Sequence, residues 1–232
     1  MSRLIRALRG MRGRTGVDVG DGTVERMRGP RAIAAFTGIG LAAGLLSGLF
    51  GVGGGTVIVP LLVLLLGFDQ RLSAGTSLAA IVPTAAVGVI SYAVHDAVAW
   101  IPALLLAIGS VVGAQIGTRL LTRISQTALR WCFVGFLAIV IVMLFVVIPS
   151  RDAVFEVTWL TAALLLVVGL GTGILAGLIG VGGGIVVVPV LMLAFGTSDL
   201  VAKGTSLLMM IPTAISGTIG NLRHRNVDLT AA

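Results

Sequence analysis

The sequence predicts an all-α polytopic membrane protein, an inverted-topology repeat of helices with two glycine-broken half-helices. The first observation behind this prediction is composition. Hydrophobic residues make up 57% of the 232 residues and charged residues 11%, and the mean hydropathy is +1.11, so too little polar surface is available to cover a soluble globule. The second is a duplication. Residues 40–100 align without a gap with residues 169–229 at a constant offset of 129, and 28 of the 61 pairs are identical.

Apolar segments separate the charged and loop-forming clusters of the chain. They cover residues 32–50, 56–66, 73–92, 101–118, 131–148, 158–179, 185–195 and 203–222. Two of them, 56–66 and 185–195, are short, because a helix of such length rises only about 16 Å, half of a hydrocarbon core of about 30 Å. We expect the glycines before each short helix to run extended, at about 3.3 Å per residue, and so to complete the crossing.

The duplicated segment carries a glycine motif in each half. GLFGVGGGTVIVP at 48–60 returns as GLIGVGGGIVVVP at 177–189, GTSL at 75–78 returns at 204–207, and PTA at 83–85 returns at 212–214. A glycine-broken apolar segment at the same place in both halves of a membrane protein is typical of the central binding site of a transporter.

Positive charge predicts the topology. Half of the sixteen basic residues precede the first apolar segment, which predicts a cytoplasmic N-terminus. The net charge of +7 is therefore interpreted as the basic flank of a membrane segment, and no nucleic-acid partner is expected. Five crossings then put the second half in the opposite orientation, with residues 94–97 outside and 223–226 inside. The predicted organisation is listed here: basic cytoplasmic tail 1–31, first transmembrane repeat 32–148, external loop 149–157, and second, inverted and incomplete transmembrane repeat 158–232.

The second repeat is shorter than the first. A full copy would run to about residue 277, so counterparts of segments 101–118 and 131–148 are expected to be missing. On this basis the chain is predicted to be a fragment, or a product that needs a partner.

Two short helices that start after glycines predict an anion site. Their free N–H groups and positive dipole ends would meet near the membrane midplane, and glycine lets bare backbone approach a ligand. Hydroxyl groups at the starts of the following helices would add donors. The candidate substrate-binding residues are Gly53, Gly54, Gly55, Thr76, Ser77, Gly182, Gly183, Gly184, Thr205 and Ser206. The alternative is that these glycines only allow helices to pack and turn.

Other glycines recur at every fourth residue, as in close-packed helix faces. The three series are Gly40, Gly44 and Gly48, then Gly109, Gly113 and Gly117, then Gly169, Gly173 and Gly177. We expect all three to pack against neighbouring helices.

The twin Gly-x-Gly-Gly-Gly-x4-Pro motifs, each followed by Gly-Thr-Ser and a Pro-Thr pair, resemble the sulfite exporter TauE/SafE family of membrane permeases. The series Gly109-x3-Gly113-x3-Gly117 is similar to that family too, and the resemblance covers residues 32–229. It implies transport of small anions, often sulfur-containing ones such as sulfite, sulfoacetate or related organosulfonates, coupled to the proton gradient.

The function that these patterns favour is secondary transport of a small anion by alternating access, in the plasma or inner membrane of a bacterial-type cell. The alternatives are an anion channel and a non-transporting membrane fragment or assembly factor. An enzyme is not expected, because no convergent set of acids and histidines lies within the apolar segments. No cofactor or metal is expected, since Cys132 is the single cysteine. The sequence leaves the oligomeric state open, a homo-oligomer included.

Overall fold

The structure is a computed structural model that describes residues 30–138 and 158–232, except residues 52, 126, 130, 132, 133, 136, 137, 229 and 230. Residues 39–232 form one compact unit, to which residues 30–38 do not belong. Three sequence predictions lie largely or wholly outside the described residues: the basic tail, the apolar segment 131–148 and the external loop 149–157.

Helices account for the regular structure of the described residues, and no strand occurs among them. They are α1 (Pro30–Phe50), α2 (Gly55–Leu66), α3 (Gln70–Val94), α4 (Trp100–Arg123), α5 (Trp159–Ile179), α6 (Gly184–Phe195) and α7 (Asp199–Arg223). Each matches a predicted apolar segment, and the helices α3, α4, α5 and α7 are long and apolar enough to cross a membrane. The predicted fold class of an all-α polytopic membrane protein is confirmed.

Helix starts differ between the long and the short helices. The Asp69 side chain caps α3 by accepting from the Arg71 N–H at 2.8 Å, and Thr158 forms a capping box with Thr161 at the start of α5. Helices α2 and α6 have no side-chain cap and start after Gly54 and Gly183, which are left-handed. Their first N–H groups therefore depend on other partners.

Helices α3 and α7, which are repeat equivalents, cross as an antiparallel pair. A Cβ placed on Gly88 would lie 2.8 Å from Leu207, and one placed on Gly217 would lie 2.8 Å from Leu78. Gly88 and Gly217 are repeat equivalents, as are Leu78 and Leu207, so the halves meet through a self-complementary, two-fold contact. Because both helices are long enough to span a membrane and run in opposite directions, the repeat has inverted topology.

Helices α4 and α5 pack side by side through glycines and run in the same direction. A Cβ on Gly113 would overlap the Leu170 carbonyl, and one on Gly173 would overlap the Ser110 carbonyl. Close packing of the 109–117 and 169–177 series is thus confirmed. Since the helices are parallel, the end of α4 and the start of α5 lie at opposite ends of the pair, as an additional crossing between them requires.

The packing expected of the first glycine series is not found among the described residues. A Cβ on Gly40, Gly44 or Gly48 would meet nothing within 4 Å, and Leu45 beside them is 69% exposed. The prediction is not confirmed for this series, because α5 has α4 against its glycine face, whereas no described helix lies against the equivalent face of α1.

Candidate functional site

Two glycine turns interrupt the chain before the short helices. The first glycine turn is residues 51–55 and the second is residues 180–184. Their left-handed glycines are Gly51 (φ +67°), Gly53 (+78°), Gly54 (+68°), Gly180 (+80°), Gly182 (+80°) and Gly183 (+85°). The expectation of extended backbone was therefore wrong. Left-handed residues curl the chain, and the Gly55 N–H closes a tight turn on the Gly53 carbonyl at 2.8 Å.

The two glycine turns touch each other. A Cβ on Gly55 would lie 2.5 Å from the Gly180 carbonyl oxygen, and one on Gly184 would lie 2.7 Å from the Gly51 carbonyl oxygen. These contacts are again repeat equivalents. The start of each half-helix thus lies against the end of the long helix of the other repeat, at a distance that only glycine permits.

Two serines brace the glycine turns. Ser206 Oγ donates to the Gly51 carbonyl at 2.6 Å, and Ser77 Oγ donates to the Gly180 carbonyl at 2.8 Å. Both serines are fully buried. The structure brings these predicted site residues to the turns, with their hydroxyl hydrogens already bonded to the protein.

The two predicted threonines lie further from the turns. Thr205 Oγ1 accepts from the Ala99 N–H at 2.9 Å, just before α4, and Thr76 Oγ1 accepts from the Asp228 N–H at 3.0 Å, after α7. Each threonine thus fastens the segment that follows the long crossing helix of the other repeat. Contact of these hydroxyls with a substrate stays a prediction.

Backbone donors remain at both turns. The N–H groups of Gly53, Gly54, Gly183 and Gly184 form no hydrogen bond with any residue that the structure describes. All four glycines are buried. Buried N–H groups normally have partners, and those at a helix start carry the positive end of the helix dipole, so an oxyanion is the ligand that suits them.

Sequence reasoning missed the side chains that fill the space beside the turns. Ile81 and Met210 are repeat equivalents near the middle of α3 and α7, and both are fully buried. A Cβ on Gly53 would lie 2.5 Å from Met210 Sδ, and one on Gly182 would lie 3.1 Å from Ile81 Cδ1. Sequence reasoning missed them because apolar side chains carry no sign of a binding site, although the repeat offset of 129 residues relates one to the other. They make the surroundings of the turns apolar, and the unbranched methionine can change rotamer.

A charged pair beside the first turn was also missed. Lys203 is the single lysine of the chain. It lies in the first turns of α7, is 17% exposed, and its Nζ bonds to Asp199 Oδ2 at 2.7 Å. A comparison of the two repeats could have found it, because its equivalent in the first repeat is the uncharged Ala74.

The repeat-related histidines lie away from the turns. His95 and His224 are the C-caps of α3 and α7, and both are exposed. His95 Nδ1 lies 2.8 Å from the Ser91 carbonyl oxygen. No group of three or more metal-ligating side chains occurs in the described ranges.

The fold is that of a polytopic membrane transporter, because it combines helices long enough to span a membrane with a two-fold inverted repeat and a pair of half-helices. Comparison with known proteins agrees. The sequence model named "Sulfite exporter TauE/SafE" matches residues 4–144 and 165–232, and the chain belongs to that family.

Curated relatives are named as probable membrane transporters. The chain is 28% identical over 188 residues to "Probable membrane transporter protein YdhB" of Bacillus subtilis, covering 80% of this chain and 77% of the relative. It is 28% identical to YunE of the same organism, covering 82% and 78%, and 25% identical to MJ0441 of Methanocaldococcus jannaschii, covering 79% and 70%. No solved structure matches it significantly.

Proposed function

We propose that the protein is a secondary transporter of a small oxyanion, of the sulfite or organosulfonate type, and not an enzyme. The observation that carries the proposal is the pair of glycine turns. Buried N–H groups that bond to no described residue lie at both turns, and the turns are in contact. A tetrahedral or pyramidal oxyanion has several acceptor oxygens, so it could bond to backbone donors of both repeats without a buried cation.

The two-fold relation supports a mechanism of alternating access. Each turn is braced by a serine of the other repeat, through the Ser206–Gly51 and Ser77–Gly180 hydrogen bonds. Because the two sets of contacts are equivalent, opening one set and opening the other should cost similar free energy. Exchange between such states would expose the site first to one side of the membrane and then to the other.

The apolar side chains beside the turns fit a gated carrier. Ile81 and Met210 lie against both turns, and both are fully buried. An anion that reaches the N–H groups must displace at least one of them, and the flexible Met210 is the easier to move.

The experiment is flux of radiolabelled sulfite into proteoliposomes that contain the purified protein. We expect uptake that saturates with concentration and is inhibited by unlabelled sulfite or sulfoacetate. Uptake that rises linearly with concentration would favour an anion channel, and uptake equal to that of empty liposomes would reject the proposed function. A pH gradient imposed across the same liposomes tests proton coupling, which should drive sulfite accumulation.

A further inference from the structure

The two-fold symmetry of the core is broken by charge at the first glycine turn. A Cβ on Gly51 would lie 2.6 Å from Lys203 Cβ and 2.7 Å from its Cγ, so the lysine stem packs directly on this turn. At the second turn the same contact is made between Gly180 and Ala74. A lysine therefore packs on one turn, and an alanine takes the equivalent place at the other.

The rest of the asymmetry is on the same side. Asp199, which holds the lysine, has the neutral Gln70 as its repeat equivalent. Tyr92, whose hydroxyl donates to the Gly48 carbonyl at 2.8 Å, has the neutral Asn221 as its equivalent. At these positions the first turn has ionisable side chains and the second turn has an alanine or amides. Arg71, near the start of α3, is already bonded to the Ile124 carbonyl.

The lysine is placed to exchange partners. Its side chain is 17% exposed and that of Asp199 is 42% exposed, so the pair is reachable from outside the core. The ammonium has three N–H bonds, and Asp199 accepts from one of them. An exposed ion pair within one helix holds its geometry only weakly, and an oxyanion offers the same charge-assisted hydrogen bonds as a carboxylate.

We propose that Lys203 is an anion-capturing residue on one side of the transporter, where the substrate oxyanion replaces Asp199 as partner of the ammonium before it passes to the first glycine turn. This inference rests on the proposed function and adds to it a second, one-sided subsite. In it, Asp199 competes with the substrate and sets how easily the lysine is released.

Competition gives the two members of the pair opposite roles, and the test uses this. The dissociation constant of sulfite is measured by titration calorimetry on the purified full chain. We expect Lys203→Ala, which copies Ala74 of the other repeat, to weaken binding about tenfold, because a charge-assisted hydrogen bond is lost. Lys203→Arg should retain most of the affinity. Asp199→Asn should tighten binding roughly threefold, because the competing carboxylate is gone. Arg119→Ala, an exposed cation at the far end of α4, is the control and should change nothing.

A purely structural ion pair predicts a different pattern. If the pair only stabilises the start of α7, then Lys203→Ala and Asp199→Asn both break it and shift the dissociation constant in the same direction. Shifts of equal sign, or no shift in either variant, while the native chain binds sulfite, would overturn the inference and leave the proposed function standing. A native chain that neither binds nor transports sulfite would reject the proposed function itself.

A second measurement does not depend on substitutions. Because the chain has one lysine, modification by an amine-reactive ester can be followed on a single peptide by mass spectrometry. Sulfoacetate should slow modification of Lys203, and the N-terminal amine serves as an internal reference. Equal rates with and without sulfoacetate would contradict the capture of an anion by this residue.

Discussion

The Ser206 hydroxyl donates a hydrogen bond of 2.6 Å to the carbonyl oxygen of Gly51, 155 residues away in the chain. Ser77 makes the equivalent bond to Gly180 at 2.8 Å. These two bonds fasten the glycine turn of each repeat to the long crossing helix of the other. The two repeats therefore form one unit at their centre, and the site between them depends on both.

Removal of either serine hydroxyl should destabilise the protein. Ser206→Ala or Ser77→Ala leaves a buried carbonyl without its donor, which costs about 1–3 kcal/mol. Transport should fall with stability, because the turn loses its brace. The measurement is the unfolding midpoint in denaturant of the detergent-purified protein. Thr122→Ala is the control, since the Thr122 hydroxyl bonds only to the Arg119 carbonyl within its own helix. If the control unfolds at a midpoint as low as the serine variants do, the two serine hydrogen bonds have no special role in stability.

Position-specific loss of transport is expected at the second glycine turn. An alanine at Gly183 requires only a shift of a few tenths of an ångström, because its nearest neighbour is the Thr172 carbonyl at 3.3 Å, and its φ of +85° disfavours a side chain by about 1–2 kcal/mol. Gly67 has a similar φ of +66° and nothing within 4 Å, so Gly67→Ala carries the same strain without lying at the turns.

We therefore expect Gly183→Ala to reduce sulfite transport and Gly67→Ala to retain it, at equal amounts of membrane-inserted protein. Valine at Gly54 is a cruder test, because a Cβ there lies 2.9 Å from the Ala43 carbonyl and disturbs α1. Equal transport by both alanine variants would favour the alternative that the glycines only turn the chain.

The parallel packing of α4 and α5 predicts a sharp contrast between two glycines on one helix. Gly173 touches the backbone of α4 at Ser110, whereas a Cβ on Gly171 would meet nothing within 4 Å. Gly173→Leu should lower stability by at least about 1–3 kcal/mol, because the helices must separate. Gly171→Leu should be tolerated. The yield of monodisperse protein after size-exclusion chromatography reports both, and a tolerated leucine at position 173 would disprove the packing.

The two histidine C-caps should be accessible to reagents from opposite sides of the membrane. His95 and His224 are repeat equivalents, exposed, and one at the end of each antiparallel helix α3 and α7. With Cys132 replaced by alanine, His95→Cys should react with an impermeant thiol reagent from outside the cell and His224→Cys only after permeabilisation. Reaction of both from the same side would contradict the inverted topology. These exposed positions are better labelling sites than Ala97, which also lies in the segment predicted to be outside but is only 5% exposed.

The helices could be predicted from the sequence because lipid requires long apolar segments, and the repeat offset located both short helices. The backbone conformation of the glycine turns could not be predicted from the sequence. A run of glycines is compatible with extended or left-handed backbone, and the contact with Gly180 and Gly51 of the opposite repeat decides between them. Tertiary contacts also decided the orientation of the hydroxyls, which bond to carbonyl groups and loop N–H groups. The shortened second repeat stays a prediction.

The most direct test of an alternating-access anion transporter is counterflow. Proteoliposomes are loaded with unlabelled sulfite, diluted into a trace of labelled sulfite, and the internal label is followed over time. A carrier whose two glycine turns open in alternation returns with substrate bound, so the label should rise above its equilibrium value and then decline. A monotonic approach to equilibrium, at the same rate in loaded and empty vesicles, would contradict alternating access and indicate a pore.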